Sequence, residues 1–331
     1  MPTGSIQTLL ASIVDYAGLF PPAKLSMNDM ATRFARHASG RCRWMLNRVI
    51  VPVDRLGEFG AATSTATAAF RKSAGDRSTS DAPMVDEEHA PDATLASATI
   101  SALITTTTFD DLCEEFERLH QFNETHAGHA NLVVDAVELK ARDSGAIETA
   151  LAVIERLGED ILTAVEIPID ADPRGLIAAI AAADGPVIAK VRTGGVTPGA
   201  IPSPLALAQF ICACAASGCP FKATAGLHHP MRTEHALTYQ PGAPRAMMHG
   251  FLNVLFASAT AMRDRAKQPE IASILEETNP KSFQLSESGA SWAGRQFSDE
   301  ELALARERVF LSFGSCSFSE PVRDLRDMGL L

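Results

Sequence analysis

PVIAKVRTGG at residues 186–195 and CPFKATAGLHHP at residues 219–230 are the two stretches that decide the fold. Each is typical of a short strand that ends in glycine, and a helical connection separates the two. Because side chains alternate along a strand, Lys190 shares a face with Arg192, while the opposite face is purely apolar. Lys222 has the same setting in the second strand. Strands with helices on one side and a closed interior on the other have this pattern.

Strand-like runs recur along the whole chain, with helical segments between them. The predicted strands are residues 12–16, 47–53, 98–105, 131–138, 161–169, 186–192, 221–226 and 309–315. Eight alternating strand–helix units predict a single (β/α)8 TIM barrel, with one domain over residues 1–331. A doubly wound open sheet is the alternative fold, although no G-x-G-x-x-G motif follows any of these strands.

Two segments exceed what a barrel needs. Residues 72–95 are polar, with little apolar periodicity, and predict a mobile surface loop. Residues 230–308 predict a long helical excursion between strands 7 and 8, which ends with the capping-box pair Ser298 and Glu301. The excursion leaves from the end of the barrel where active sites lie, so we expect a lid or an oligomer contact.

Composition restricts the partners and the compartment. The formal net charge of −11 and the pI near 5.3 argue against nucleic acid and against an anionic membrane, because both attract basic surfaces. We find no signal-peptide pattern and no apolar run of about 20 residues. Six cysteines without a C-x-x-C pair are typical of free thiols in the cytoplasm. We therefore expect a cytoplasmic protein that acts on a small molecule and uses no cofactor.

Polar side chains stand at the predicted carboxyl ends of the strands, which face the active site in such barrels. They are Asp15, Asp135, Glu166, Lys190, Arg192, Lys222, Thr224, Ser315 and Ser317, and His228 with His229 follows strand 7. Each alone has a structural explanation: Asp15 as a cap, Glu166 with Arg192 as an ion pair, and Ser315 and Ser317 as a helix N-cap. The recurrence of such groups at six strand ends favours an active site.

Two lysines on neighbouring strands favour Schiff-base chemistry. At about 6 Å and an effective dielectric constant near 20, two ammonium groups repel by roughly 3 kcal/mol, which lowers a lysine pKa by about two units. A neutral amine can attack a carbonyl group, and the carboxylates Asp135 and Glu166 would then move protons. The same two lysines would also suit plain binding of an anionic substrate.

The order of these motifs resembles that of deoxyribose-phosphate aldolases, which are Schiff-base TIM barrels. IVDYAGLF, LVVDAVE and TAVEIP resemble the first, fourth and fifth strands of that family, and FGSCS resembles its last. AKVRTGG is similar to the K-T-S-T-G segment that carries the family's Schiff-base lysine, and FKATAGL is similar to K-A-S-G-G. The resemblance implies Lys190 as nucleophile, Lys222 as the perturbing amine and Asp135 as the proton-handling acid.

Differences from the family point to a divergent relative with another carbonyl substrate. Gly195 replaces a lysine of the family pattern, Arg192 replaces a small residue, and the paired histidines have no counterpart. The predicted catalytic residues are Asp15, Asp135, Glu166, Lys190 and Lys222. The predicted substrate-binding residues are Arg192, Thr193, Gly194, Thr224, Gly226, His228, His229, Ser315 and Ser317.

Two other functions stay open at the level of sequence. A metal-dependent lyase or hydrolase would use His228, His229 and Glu166, with His249 as a further nitrogen ligand. Adjacent histidines diverge on extended backbone, which makes it difficult for both to bind one ion. A barrel without catalytic activity would bind a small anion through Lys190, Arg192 and Lys222. The substrate, its phosphorylation and the oligomeric state are also open.

Overall fold

A computed structural model describes residues 4–75, 98–126, 132–157 and 161–331. Its centre is a closed barrel of eight parallel strands. The barrel strands are β1 (Val14–Tyr16), β2 (Leu46–Pro52), β3 (Ala98–Leu103), β4 (Leu132–Lys140), β5 (Leu162–Glu166), β6 (Val187–Arg192), β7 (Phe221–Thr224) and, after five short strands outside the barrel, β13 (Phe310–Ser315). The predicted α/β barrel of the TIM type is confirmed.

Helices surround the barrel in the described part of the chain. They are α1 (Ser5–Leu10), α2 (Met27–Ser39), α3 (Leu56–Gly75), α4 (Phe109–His126), α5 (Ser144–Leu157), α6 (Arg174–Ala181), α7 (Pro204–Ser217), α8 (Phe251–Asp264), α9 (Gln268–Glu276), α10 (Asp299–Arg308) and α11 (Ser319–Asp327). Successive strands are neighbours from β1 to β7, and β13 closes the barrel between β7 and β1.

The outward face of β7 shows why these residues form a barrel strand. Phe221 is fully buried, and its ring meets Phe210 of α7 edge-on at 5.3 Å and stacks on Phe310 of β13 at 5.1 Å. Full burial of such a ring contributes roughly 1.5–3 kcal/mol of hydrophobic free energy. Because the apolar face is fixed between helix and sheet, alternation sends Lys222 into the barrel interior.

Between β7 and β13 the chain forms a hairpin, two helices and a small sheet before α10. The hairpin pairs β8 (Thr233–Ala236) with β9 (Arg245–Met248), and the three-stranded sheet contains β10 (Phe283–Ser286), β11 (Gly289–Trp292) and β12 (Arg295–Ser298). Helix α8 is buried along most of its length. The predicted capping box is present at the start of α10, where Ser298 and Glu301 bond reciprocally.

The predicted loop at residues 72–95 begins too early. Residues 72–75 are the last turn of α3, and residues 76–95 lie outside the described part of the chain. Residues Pro198–Ser217, which include α7, are long and apolar enough to cross a membrane by length and composition alone. Leu207 and Phe210 of this segment are buried against the barrel, and a third of the segment is buried in all.

Candidate functional site

Five ionisable side chains meet inside the barrel, and we call them the charge cluster. They are Asp15 of β1, Glu138 of β4, Glu166 of β5, Lys190 of β6 and Lys222 of β7. Lys190 and Lys222 are directly opposite each other in the β6–β7 register, and each is 3% exposed. Both lysines thus lie in the barrel interior on adjacent strands, as predicted.

Glu138 bridges the two lysines. Its Oε2 lies 2.7 Å from Nζ of Lys190, and its Oε1 lies 2.5 Å from Nζ of Lys222. The hydroxyl of Ser101 on β3 donates to the same Oε1 at 2.9 Å. A carboxylate with both oxygens occupied in this way holds the two ammonium groups side by side.

Lys222 occupies the more enclosed half of the cluster. Its Nζ also lies 2.5 Å from Oδ2 of Asp15, a residue with no exposed surface. Asp15 in turn accepts hydrogen bonds from Ser312 Oγ at 2.7 Å and from Asn47 Nδ2 at 2.8 Å. These bonds satisfy the buried carboxylate and orient it towards Lys222.

Lys190 occupies the half that opens to the barrel mouth. Its second carboxylate is Glu166, whose Oε2 lies 2.8 Å from Nζ. Glu166 Oε1 is 3.4 Å from the guanidinium of Arg192 and 3.9 Å from Nζ of Lys140, and those two side chains are 45% and 62% exposed. Glu166 therefore connects Lys190 to solvent at the carboxyl ends of the strands.

The cluster favours the charged forms of Glu138, Glu166 and Lys222. Burial opposes ionisation of Glu138, but Lys190 and Lys222 outweigh it and hold the Glu138 pKa far below its usual range. Burial likewise opposes the charge on Lys222, but Asp15 and Glu138 raise the pKa of Lys222 above its ordinary value. Glu166 is buried too, and Lys190 lowers its pKa. For Lys222, the two neighbouring carboxylates therefore reverse the effect expected from lysine–lysine repulsion alone.

Asp135 is not in contact with either lysine, in contrast to its predicted place beside them. It stands at a bulge, because Ile100 pairs with Val134 while the next residue of β3 pairs with Ala136. Its carboxylate forms a two-pronged ion pair with Arg48, with both distances 2.7 Å. The predicted strand, residues 131–138, contained Glu138 but not the bulge; β4 continues to Lys140, and Glu138 occupies the interior position nearer the carboxyl end.

The predicted turn residues after β6 and β7 hold the two loops together. Thr193 Oγ1 donates to the carbonyl oxygen of Ala225 at 2.5 Å and is 1% exposed. A Cβ on Gly226 would lie 2.8 Å from Cα of Gly194, and Gly226 has φ +81°. Glycine is needed here for close backbone approach and for a left-handed conformation. Thr224, at the end of β7, accepts the backbone N–H of Thr193 through its carbonyl oxygen.

The predicted histidines and serines lie around a second space at the barrel mouth, which we call the mouth cavity. It is lined by Gly226, His228, His229, Tyr239 and Glu320, among others. His228 Nδ1 lies 3.0 Å from Ser315 Oγ and 3.3 Å from Glu320 Oε2.

The remaining contacts around the mouth cavity involve helix α11. His229 Nδ1 lies 2.5 Å from Oδ2 of Asp324. Ser317 Oγ accepts the backbone N–H of Glu320, which is the N-cap role considered for this serine. The structure therefore places the two predicted histidines in the lining of the mouth cavity, and Ser315 and Ser317 bond to His228 and Glu320 beside it.

The residues considered as metal ligands each bond to a different group of the protein. Glu166 belongs to the charge cluster, whereas His249 is fully buried and bonds the carbonyl oxygen of Pro202 through Nε2 at 2.9 Å. In the described ranges, no three His, Cys, Asp or Glu side chains are grouped so as to hold a metal ion.

Sequence reasoning missed Glu138, Tyr239 and Glu320. The sequence does contain a sign that Glu138 lies within the strand. It is two residues from Ala136, so the two side chains share a strand face, and the apolar run continues past it to Leu139. Tyr239 lies in the hairpin loop and Glu320 in α11, far apart in the chain, and no local pattern brings them together.

Comparison with known proteins adds no relationship to these observations. No family model, no curated protein and no solved structure matches this chain.

Proposed function

We propose that this protein is a carbon–carbon lyase of the aldolase type, which acts on a small carbonyl compound through a Schiff base on Lys190. The observation that carries the proposal is the position of Lys190 Nζ, 2.7 Å from Glu138 and 2.8 Å from Glu166 inside a barrel. Two carboxylates beside one buried lysine supply both the proton acceptor and the countercharge that iminium formation needs. The resemblance of the strand motifs to deoxyribose-phosphate aldolases supports the same chemistry.

Lys190 is the better nucleophile of the two lysines because of its surroundings. Lys222 is held by Asp15 and Glu138 in the enclosed half, and its pKa is raised. Glu166 next to Lys190 leads to solvent, so it can take the proton that Lys190 loses and return it as the carbinolamine loses water. The iminium then accepts the electron pair of the breaking carbon–carbon bond, and a carboxylate takes the proton of the hydroxyl group on the departing carbon.

In this proposal, the hairpin of β8 and β9, which lies in the chain between β7 and β13, acts as a lid. Leu237, Tyr239 and Met248 line the mouth cavity from above. A cover over the barrel mouth excludes water from an iminium, which hydrolysis would otherwise destroy.

Borohydride trapping tests the proposal. Glyceraldehyde, acetaldehyde and pyruvate are each incubated with the protein and borohydride, and the reduced adduct is located by peptide mass mapping. We expect the adduct on Lys190, its loss in Lys190→Met, and its retention in the matched control Lys281→Met, an exposed lysine outside the barrel. Trapping should persist after chelation, because the iminium supplies the electron sink that a metal ion would otherwise provide. An adduct confined to Lys222, or none with any carbonyl compound, would refute the assignment.

A further inference from the structure

The mouth cavity lies above the charge cluster on the same two strands. Gly195 lines it at the end of the β6 loop, and Ala225 and Gly226 line it just after β7. Ala225 is three residues beyond Lys222, which is about 10 Å along an extended chain. Under the proposed function, the far end of a substrate bound at the cluster would point towards this cavity.

The charge of the cavity is unsuited to an anion. Glu320 is the carboxylate in its lining, and no lysine or arginine stands among its lining residues, all of which the structure describes. Burial opposes ionisation of Glu320, but the His228 imidazole beside it lowers its pKa, so the group is an anion near neutral pH.

Glu320 also occupies the position where a phosphate group would otherwise bind best. It lies in the first turn of α11, where the helix dipole and free N–H groups attract anions. Its carboxylate adds a negative charge at this end of the helix, and Ser317 Oγ accepts its backbone N–H. A phosphate in the cavity would meet the like charge of Glu320.

The polar groups that remain suit hydroxyl groups. The contacts that orient His228 and His229 both use Nδ1, with Glu320 and Asp324 as the respective carboxylates. With Nδ1 bonded in this way, Nε2 is the ring nitrogen left for a ligand, while a carboxylate accepts hydrogen bonds from hydroxyl groups. Tyr239 adds a phenol and an aromatic face to the same lining.

We infer that the mouth cavity binds an uncharged, hydroxyl-bearing end of the substrate and rejects a phosphorylated one. The substrate class is then a short, unphosphorylated hydroxy-aldehyde or hydroxy-ketone. The inference about substrate class rests on the proposed function, whereas the preference of the cavity for hydroxyl groups over phosphate does not require Schiff-base chemistry.

Direct binding tests this preference separately from catalysis. Erythritol and erythritol 4-phosphate contain no carbonyl group, so neither forms a covalent adduct, and their dissociation constants are measured on wild-type protein by ligand-detected NMR. We expect erythritol to bind at least ~10-fold more tightly than its phosphate ester. Equal or tighter binding of the ester, or binding of neither, would overturn the inference, whatever the outcome of borohydride trapping.

Two variants with the same change in net charge sharpen the test. Glu320→Lys should reverse the preference in favour of the phosphate ester, whereas Asp327→Lys, on the same helix but exposed and outside the cavity, should leave it unchanged. Glu320→Gln removes the charge with little change in shape and should reduce the discrimination. Equal effects of the two lysine substitutions would show that general charge attraction, and not this cavity, sets the preference.

Discussion

Replacement of Glu138 by glutamine removes the one carboxylate that contacts both buried lysines. At contact distance and an effective dielectric constant near 20, each lysine–carboxylate attraction is worth about 4 kcal/mol before solvation is counted. The neutral amide escapes the desolvation penalty of the buried carboxylate, which offsets several kcal/mol of that loss. Breaking one partner of a buried ion network costs about 3–5 kcal/mol in measured cases, and we expect a loss of that size in the free energy of unfolding.

Urea denaturation at pH 7, followed by circular dichroism, measures this loss. Glu114→Gln is the matched control, because Glu114 is 67% exposed and pairs only with Arg118 on its own helix. Substitutions of such surface groups usually stay within about 0.5 kcal/mol. A Glu138→Gln protein within about 1 kcal/mol of wild type would refute the view that the cluster is an ionised, mutually dependent network.

The pH dependence provides a second, independent readout of the same reasoning. The folded pKa of Glu138 is lowered, so its contribution is present above the unfolded value near 4.3 and is lost as the pH falls below it. The stability difference between wild type and Glu138→Gln should therefore shrink in acid. The folded pKa of Lys222 is raised, so its contribution is present below about 10.4 and disappears as the pH rises past the folded value.

Three further outcomes follow from particular contacts. Gly226→Ala should destabilise the fold by at least ~2 kcal/mol more than Gly218→Ala in urea titrations, because both have positive φ but only Gly226 faces backbone at 2.8 Å. Asp135→Asn should retain the borohydride adduct that Glu138→Gln loses, because Glu138 contacts Lys190 whereas Asp135 pairs with Arg48. Loss of the adduct in both variants would restore Asp135 to the catalytic group. Burial lowers the pKa of His249 to about 4, so the folded state disfavours its protonation. Its contribution is complete above pH 6.5, and up to ~3 kcal/mol is lost as the pH falls towards 4; a His249→Gln protein with an equally steep pH profile would contradict this.

The barrel could be predicted from the sequence because its strands carry local information. Apolar runs of strand length, divided by helical segments, locate all eight barrel strands to within a few residues. Parity within residues 186–192 and 221–226 also predicts that Lys190 and Lys222 share the interior.

The partners of the lysines could not be predicted in the same way. Which carboxylate of β4 faces Lys190 depends on the bulge at Asp135 and on where the strand ends, and both are set by pairing with β3. The mouth cavity depends on contacts between the hairpin and α11, which are distant in sequence. His249 could not be distinguished from a metal ligand without the carbonyl group of Pro202 that it meets.

The ion pairs change the reason why Lys190 suits the proposed Schiff base. Two lysines alone would repel and favour a neutral amine, but the charge cluster places three carboxylates around them. An iminium carries the same positive charge as an ammonium group, so in the proposed mechanism the cluster would stabilise the covalent intermediate as well as a protonated lysine. The energetic cost is confined to the short-lived neutral amine, and a carboxylate 2.8 Å away can hold its proton during that interval. In this mechanism, the countercharge that opposes deprotonation of the lysine also stabilises the iminium once it has formed.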